Sequence, residues 1–379
     1  MACPRTKILS YCVILYIGLS CSSSCVIMAH PPQSKGVKGA YYPSWAFSTF
    51  PPSSIDTSLF THIYYAFLVP NNTTFTFDID HETSTLLLNF TSTLRSVKTL
   101  FSVGGGGEGP ARFSRMASTF ATRSSFIKSS IEVARKYNFD GIDLDWEFPQ
   151  NNKDMENLAM LLDEWRVEVK KESCATKRPQ LLITSAVYFS VDFFLWGEFR
   201  SYPVPSINKN LDWINLMFYD YRGSWDTSAT GAQAALFDSK SNISTSYGLS
   251  TWIKAGALRS KLIMGLPLYG RTWKLKDPKL DGIGAPAVGV GPGDEGTLTY
   301  NEIEKFNEEN NAKVVHDSAT VSAYSVAGTS WIGYDDTRSV ATKLRYAQGQ
   351  RLRGYFFWAV AGDKDWKISR TAKQSWIIS

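Results

Sequence analysis

Cysteine is almost missing from the body of this sequence: of five in 379 residues, four fall at positions 3, 12, 21 and 25, and only Cys174 lies beyond them. A disulfide framework is therefore excluded as the organising principle, and a chain this long can build its core without one. Cys174 is expected to be a free structural thiol, because four scattered histidines promise no partner for a nucleophilic thiolate. Clustered base is missing too. Lys plus Arg number 40 against 35 Asp plus Glu, a net charge of +5 with no long basic run, which argues against a nucleic-acid partner. No apolar stretch is long enough to span a bilayer comfortably, so no membrane span is expected. With 44% apolar and 20% charged residues, disorder and collagen-like structure are excluded as well.

What the chain has in excess is aromatic: 12 Trp, 18 Tyr and 22 Phe. Exposed aromatics are the usual means of gripping sugar rings and other flat apolar faces.

Arg5 and Lys7 precede an apolar stretch from Ile8 to Leu19, and small residues follow up to Ala29. This pattern reads as a secretory signal peptide over residues 1–29, cut between Ser24 and Ala29; a buried N-terminal helix is the competing reading. Secretion gives meaning to four Asn-x-Ser/Thr sequons, at Asn71, Asn72, Asn89 and Asn242, which then mark surface loops.

Short apolar or aromatic runs recur through the rest: Lys38 to Trp45, His62 to Val69, Lys98 to Gly104, Gly141 to Glu147, Leu181 to Tyr188, Trp213 to Asp220, Leu262 to Gly270 and Gly354 to Val360. Amphipathic stretches such as 124–137, 155–171, 251–257 and 339–348 lie between them. Alternating strands and helices imply parallel strands with crossover helices, and about eight of them point to a closed (β/α)₈ TIM barrel. From Arg271 to Asp335 the chain runs far beyond a βα loop of about 2 to 6 residues. A small α+β insertion between the seventh strand and its helix is expected there, with Gly296 to Tyr300 and Ala323 to Val326 as strands and Tyr300 to Glu309 as a helix. The barrel then occupies residues 36–271 and 335–379, and the insertion 272–334.

The most informative segment is Asp140-Gly141-Ile142-Asp143-Leu144-Asp145-Trp146-Glu147. Alternate side chains share one face of a strand, so Asp143, Asp145 and Glu147 point one way and Ile142, Leu144 and Trp146 the other. Barrel interiors are normally filled by branched apolar residues. Three carboxyl groups placed there cannot all ionise, so at least one stays protonated near neutral pH, able to donate a proton beside carboxylates that offset positive charge. Glu147 reaches furthest toward the mouth and is the candidate general acid. Coordination of Mg²⁺ or Ca²⁺ competes with this reading, with Asp220 as the one obvious further oxygen supplier, and a solvated edge of a misread strand is a second alternative.

These residues carry a resemblance to glycoside hydrolase family 18, and within it to the plant class V chitinases. The Asp-Gly-x-Asp-x-Asp-x-Glu motif is met at Asp140, Gly141, Asp143, Asp145 and Glu147; a Ser-x-Gly-Gly motif at Ser102-Val103-Gly104-Gly105; further matches are Met217-Phe218-Tyr219-Asp220, the region of Tyr269 and Trp273, and Trp358. The resemblance implies a TIM barrel and a substrate-assisted, retaining mechanism without a protein nucleophile. Glu147 would protonate the glycosidic oxygen while the sugar's 2-acetamido oxygen attacks the anomeric carbon. Asp145 would orient the acetamide, Tyr219 would donate to its oxygen, and Asp143 would share a proton with Asp145. It further implies substrate contacts at Trp358, Met217, Asp220, Ser102 and Gly104, with Tyr42, Trp273 and Arg271 as additional groove residues, alongside Trp45 and Trp225. No cofactor or metal is implied. The expected partner is a chitooligosaccharide or lipochitooligosaccharide, with no nucleic acid and no membrane; the protein is expected to be a monomer in the apoplast or vacuole.

Phe218, Arg222 and Arg271 suggest a narrower and more basic cleft than is usual in that family. The apolar run Val191 to Phe199 either accepts the acyl tail of a lipochitooligosaccharide, as in legume Nod-factor hydrolases, or caps the barrel core. Gly104, Gly106 and Gly109 fit a dinucleotide motif weakly and read better as a loop above the site. A non-catalytic lectin on the same barrel is the rival of another class.

Overall fold

The computed structural model describes residues 36–376, so the signal-peptide reading lies outside the described residues. In chain order the barrel opens with β1 (Val37–Pro43), β2 (His62–Leu68), α1 (His81–Thr93), β3 (Lys98–Gly104), α2 (Pro110–Ala117), α3 (Phe120–Lys136), β4 (Gly141–Asp145), α4 (Asn152–Thr176) and β5 (Leu182–Val187). A hairpin follows, β6 (Asp192–Leu195) and β7 (Glu198–Ser201), then α5 (Val204–Asn210), β8 (Trp213–Leu216), α6 (Thr245–Lys254) and β9 (Leu262–Pro267). Next come β10 (Tyr269–Leu275), β11 (Ala287–Val290), β12 (Thr297–Thr299), α7 (Tyr300–Glu309), β13 (Lys313–Asp317), β14 (Ser322–Ala327) and β15 (Ser330–Tyr334). The chain closes with α8 (Thr337–Gly349), β16 (Gly354–Trp358) and α9 (Lys367–Ser375).

Eight parallel strands close the barrel in the order β1-β16-β9-β8-β5-β4-β3-β2. The pleat sorts their side chains into two cores. Tyr41, Tyr64, Leu100, Leu182, Trp213, Ile263 and Phe356 fill the barrel interior. Tyr42, Ile63, Phe101, Val103, Ile142 and Leu144 face outward and pack under the helices. Both sets are buried, which is why these strands read as continuous apolar runs. The helices are punctuated as their sequences suggest: Asp80 caps α1 by accepting from the Thr83 N–H at 2.7 Å, and Thr119 and Thr122 form a capping box at α3.

The interval between β9 and α8 folds as an antiparallel sheet, β11-β10-β15-β14-β13, with β12 added on β10 and with α7 alongside. It has its own small core of Trp273, Leu275, Tyr324 and Trp331. Sequence patterning found α7, β12 and β14 but not β10, β11, β13 or β15, whose Gly, Lys and Ser residues dilute the strand signal. A buried ion pair ties the exit of this unit to α8: Lys343 Nζ donates to both Asp335 oxygens, at 2.6 and 2.5 Å.

The expectation of a free Cys174 is corrected. Its thiol is disulfide-bonded, and the four other cysteines all precede the described residues. Among the described residues no helix is long and apolar enough to cross a membrane.

Candidate active site

All three acids of the fourth barrel strand sit where the period of two places them. Ile142, Leu144 and Trp146 join the outer core, while Asp143 and Asp145 point into the barrel, 0% and 4% exposed. Glu147 stands just beyond the end of β4 and lines the cleft. The backbone makes room for it. Gly104 ends β3 at φ +113°, and a Cβ there would meet the Asp145 carbonyl oxygen at 2.2 Å, so no other residue brings β3 this close to β4.

Asp143 is the most enclosed of the three. Its Oδ2 accepts from the Tyr41 hydroxyl at 2.8 Å and from Ser102 at 2.7 Å, and its Oδ1 accepts from Thr184 at 2.6 Å. Burial pushes its pKa up, and these three hydroxyls pull against that shift. With its oxygens committed to hydroxyl donors, Asp143 offers no ready ligand to a divalent cation, and among the described residues no cluster of three His, Cys, Asp or Glu side chains could hold one.

Asp145 is raised well above the usual carboxylate range, first by burial and then by the charges of Glu147 and Asp143. Glu147 is pushed up to about 7 by burial and by the Asp220 carboxylate, with a hydrogen bond to Asp145 opposing. Together the two carboxyls hold a proton near neutral pH. Asp145 Oδ1 is buried and, among the described residues, finds no hydrogen-bond donor placed to satisfy it. Such an orphan acceptor is costly unless a ligand satisfies it. Tyr219, whose pKa burial raises well above 10, lines the same cavity and is given room by Gly265, where a Cβ would come within 2.9 Å of its ring.

The cavity is an open cleft of about 990 Å³ that also takes in Trp358, Met217, Asp220, Gly104, Trp45 and Trp225. Trp358 forms its floor, stacked on Phe67 at 5.5 Å and 24° and edge-on to Tyr41 at 5.5 Å. Phe148, Tyr188 and Phe193 build one wall, with Tyr188 and Phe193 stacked at 4.4 Å. The hairpin that carries Phe193 is held down by Arg200, which donates to the carbonyl oxygen of Pro149 at 2.7 Å.

Four expected groove residues are placed elsewhere. Tyr42 faces the helices, its hydroxyl donating to the Phe50 carbonyl at 2.9 Å; its neighbour Tyr41 is the one that turns inward. Trp273 is wholly buried in the insertion core, against Trp331 at 5.4 Å. Ser102 is enclosed and serves Asp143 rather than the open cleft. Arg271 does not line the cavity but pairs with Asp220 at 2.7 Å and lies over the Trp225 ring at 5.2 Å. Phe218 does not narrow the cleft either, since it belongs to the outer core. Sequence reasoning missed Tyr41, Thr184, Phe67, Phe148 and Tyr188, whereas Phe193 lies within the apolar run from Val191 to Phe199 and does line the cleft. No local signal marks the missed residues: both parities of the β1 run are apolar, so nothing there selects Tyr41 over Tyr42, and Thr184, Phe67 and Tyr188 come from other strands and their ends.

The profile of the family described as glycosyl hydrolases family 18 matches residues 38–363. The chain is 48% identical over 377 residues to class V chitinase CHIT5a of Medicago truncatula, covering 98% of this chain and 97% of that one. It is 51% identical over 350 residues to Nod factor hydrolase protein 1 of the same plant, covering 90% of each. Among solved structures, a mutant class V chitinase from Nicotiana tobaccum in complex with NAG4 superposes with a TM-score of 0.86 at 41% identity, over 90% of this chain and 99% of that one. A chitinase-like agglutinin from Robinia pseudoacacia superposes with a TM-score of 0.82 at 39% identity, over 90% of this chain and 100% of that one. The carboxylate ladder on the fourth strand, the aromatic floor on the eighth and these likenesses lead to one conclusion: the chain belongs to glycosyl hydrolases family 18.

Proposed function

We propose that this cleft hydrolyses β-1,4-linked N-acetylglucosamine oligomers by a substrate-assisted, retaining route. The observation that carries the reading is the pairing of Glu147, protonated near neutral pH, with Asp145, whose buried Oδ1 lacks a partner among the described residues. An acetamide N–H on a bound sugar would supply that partner. In the first step Glu147 gives its proton to the glycosidic oxygen as the bond from that oxygen to the anomeric carbon breaks. The sugar's acetamide oxygen forms the new bond to the same carbon, giving an oxazolinium ion whose charge Asp145 offsets as its own proton passes toward Asp143. Tyr219 donates to the acetamide oxygen. In the second step water attacks the anomeric carbon, loses its proton to the Glu147 carboxylate and opens the ring with retained configuration. Trp358 supplies the stacking face for the reacting sugar.

Incubating the protein and its E147Q variant with chitotetraose tests this. The wild type should cleave with retention at the new anomeric centre, and E147Q should bind without cleaving. Binding without cleavage by the wild type would instead favour a lectin.

A finer reading extends the substrate to lipochitooligosaccharides. Phe194, Trp196 and Phe199 on the β6–β7 hairpin are 68%, 58% and 56% exposed, and Phe193 and Phe194 continue into the cleft wall. An apolar surface contiguous with a polar cleft suits a substrate with an acyl tail. The comparison of acylated with deacylated oligomers decides it: equal kcat/KM on the two would leave the acyl tail without a role. The protein is further proposed to act outside the cell or in the vacuole as a monomer.

A further inference from the structure

One of the four Asn-x-Ser/Thr sequons lies on the catalytic cleft itself. Asn242 lines the same cavity as Asp145 and Glu147, beside Arg222, Ile243 and Tyr247. It sits on an excursion whose neck is fixed: the Thr245 N–H donates to the Ala235 carbonyl at 2.9 Å and the Ser246 N–H to that of Leu236 at 2.9 Å. Asp238 stiffens the loop from within, accepting from the Lys240 N–H at 2.7 Å and the Ser241 hydroxyl at 2.5 Å. Asn242 is exposed, and among the described residues its side chain makes no hydrogen bond.

The other sequons are placed differently. Asn71 Nδ2 donates to Asp78 at 2.7 Å while its Oδ1 accepts from the N–H groups of Thr73 and Thr74 at 2.8 and 3.0 Å. Asn72 accepts from Arg115. Asn89 is exposed on α1 next to a recess that contains Thr99 and Asp140, at the opposite end of the barrel.

We propose that Asn242 carries an N-linked glycan that occupies the rim of the cleft and weakens the binding of long chitooligosaccharides relative to short ones. The proposal rests on the chitooligosaccharide reading of the site. An N-glycan is attached to the asparagine Nδ2 through two β-1,4-linked N-acetylglucosamine units, the same repeat that the cleft is proposed to bind. Held at the rim by a stiff loop, that pair competes with free substrate at an effective concentration set by its short tether. Tyr247 and Trp225, 37% and 60% exposed and both lining the cavity, offer it stacking faces. The rest of the glycan adds bulk where a longer oligomer would run.

The test uses the full chain secreted from a eukaryotic host, as wild type, N242Q and S244T. S244T keeps both the sequon and a side chain able to cap α6, where Ser244 accepts from the Tyr247 N–H at 3.4 Å. Mass spectrometry of the peptide containing Asn242 reads occupancy. KM by turnover and Kd by calorimetry, on chitotriose and chitohexaose, read the consequence. The expected result is a glycan on wild type and S244T, and in N242Q a KM and Kd for chitohexaose lower by about fivefold with chitotriose unchanged. An unmodified Asn242, or equal chitohexaose constants with and without the glycan, would overturn the proposal. Glycan-dependent Kd without turnover in any variant would uphold it and sink the hydrolase reading instead.

Discussion

Arg271 grips a single oxygen of Asp220 with two nitrogens, Nη2 at 2.7 Å and Nε at 2.8 Å. The Asp220 carboxylate is also the largest charge acting to raise Glu147 toward 7. Arg271 therefore touches the proposed chemistry without facing the cleft, by partly neutralising the charge that keeps the acid protonated. Loss of Asp220 and loss of Arg271 should move the titration of Glu147 in opposite directions.

In D220N, a negative charge beside Glu147 is removed, its proton is held less tightly, and the alkaline limb of kcat/KM should move to lower pH. In R271M, Asp220 loses its cation and the limb should move to higher pH. Shifts of roughly half to one unit are expected. Profiles on chitotetraose between pH 4 and 9, at about half-unit steps, check this; two shifts of the same sign would disprove the relay.

The raised acid also has a stability signature. Glu147 rises from 4.5 to about 7 on folding, so between those values the native state holds a proton that the unfolded chain has released. Stability contributed by this proton is present at low pH and is lost as pH rises through about 7. E147Q removes the titrating group, so its melting temperature should exceed that of the wild type at pH 8, and the gap should close toward pH 4.5. The shift sets an upper bound of about 3 kcal/mol on the gain at high pH. A gap that does not change with pH would refute the assignment.

Removing the Tyr41 hydroxyl should be felt at two places. Asp143 loses one of its three hydroxyl donors, and Asn215 Nδ2, which donates to that hydroxyl at 2.9 Å, loses its acceptor. Y41F should cost about 1 to 3 kcal/mol in urea unfolding and lower kcat. Y42F, which removes a hydroxyl that donates to the Phe50 carbonyl, should leave kcat unchanged.

Two tryptophans separate binding from packing. W358A removes the cleft floor and should lower kcat/KM on chitotetraose by about tenfold, the worth of one lost stacking contact. W273A opens a hole in the insertion core and should cost about 3 to 5 kcal/mol in stability with KM unchanged. A raised KM in W273A, with the fold intact by circular dichroism, would return Trp273 to the groove.

Much of the proposed chemistry was legible before any fold was known, because it rests on a local rule. Asp143, Asp145 and Glu147 share a face by the period of two, and Ile142, Leu144 and Trp146 oppose them whatever the rest of the chain does. Tyr41 and Tyr42 show where the rule needs help. In Gly39-Ala40-Tyr41-Tyr42 both parities are apolar, so nothing in the run says which tyrosine turns inward; pairing with β2 and β16 decides it. Trp273 fails for a related reason, since β10 leaves the barrel at Tyr269 to pair with β15 and a barrel parity no longer applies.

The sequence alone determined the class of fold, the row of acids and its direction, since alternation along one strand and the recurrence of strand and helix are properties of neighbouring residues. Tertiary structure decided how those acids are held: Tyr41, Ser102 and Thr184 reach Asp143 from three different strands, Arg271 reaches Asp220 from the insertion sheet, and Cys174 is bonded rather than free. The proton affinity of a carboxyl depends on burial and on charges brought from distant parts of the chain, and only closure of the barrel puts those groups within reach.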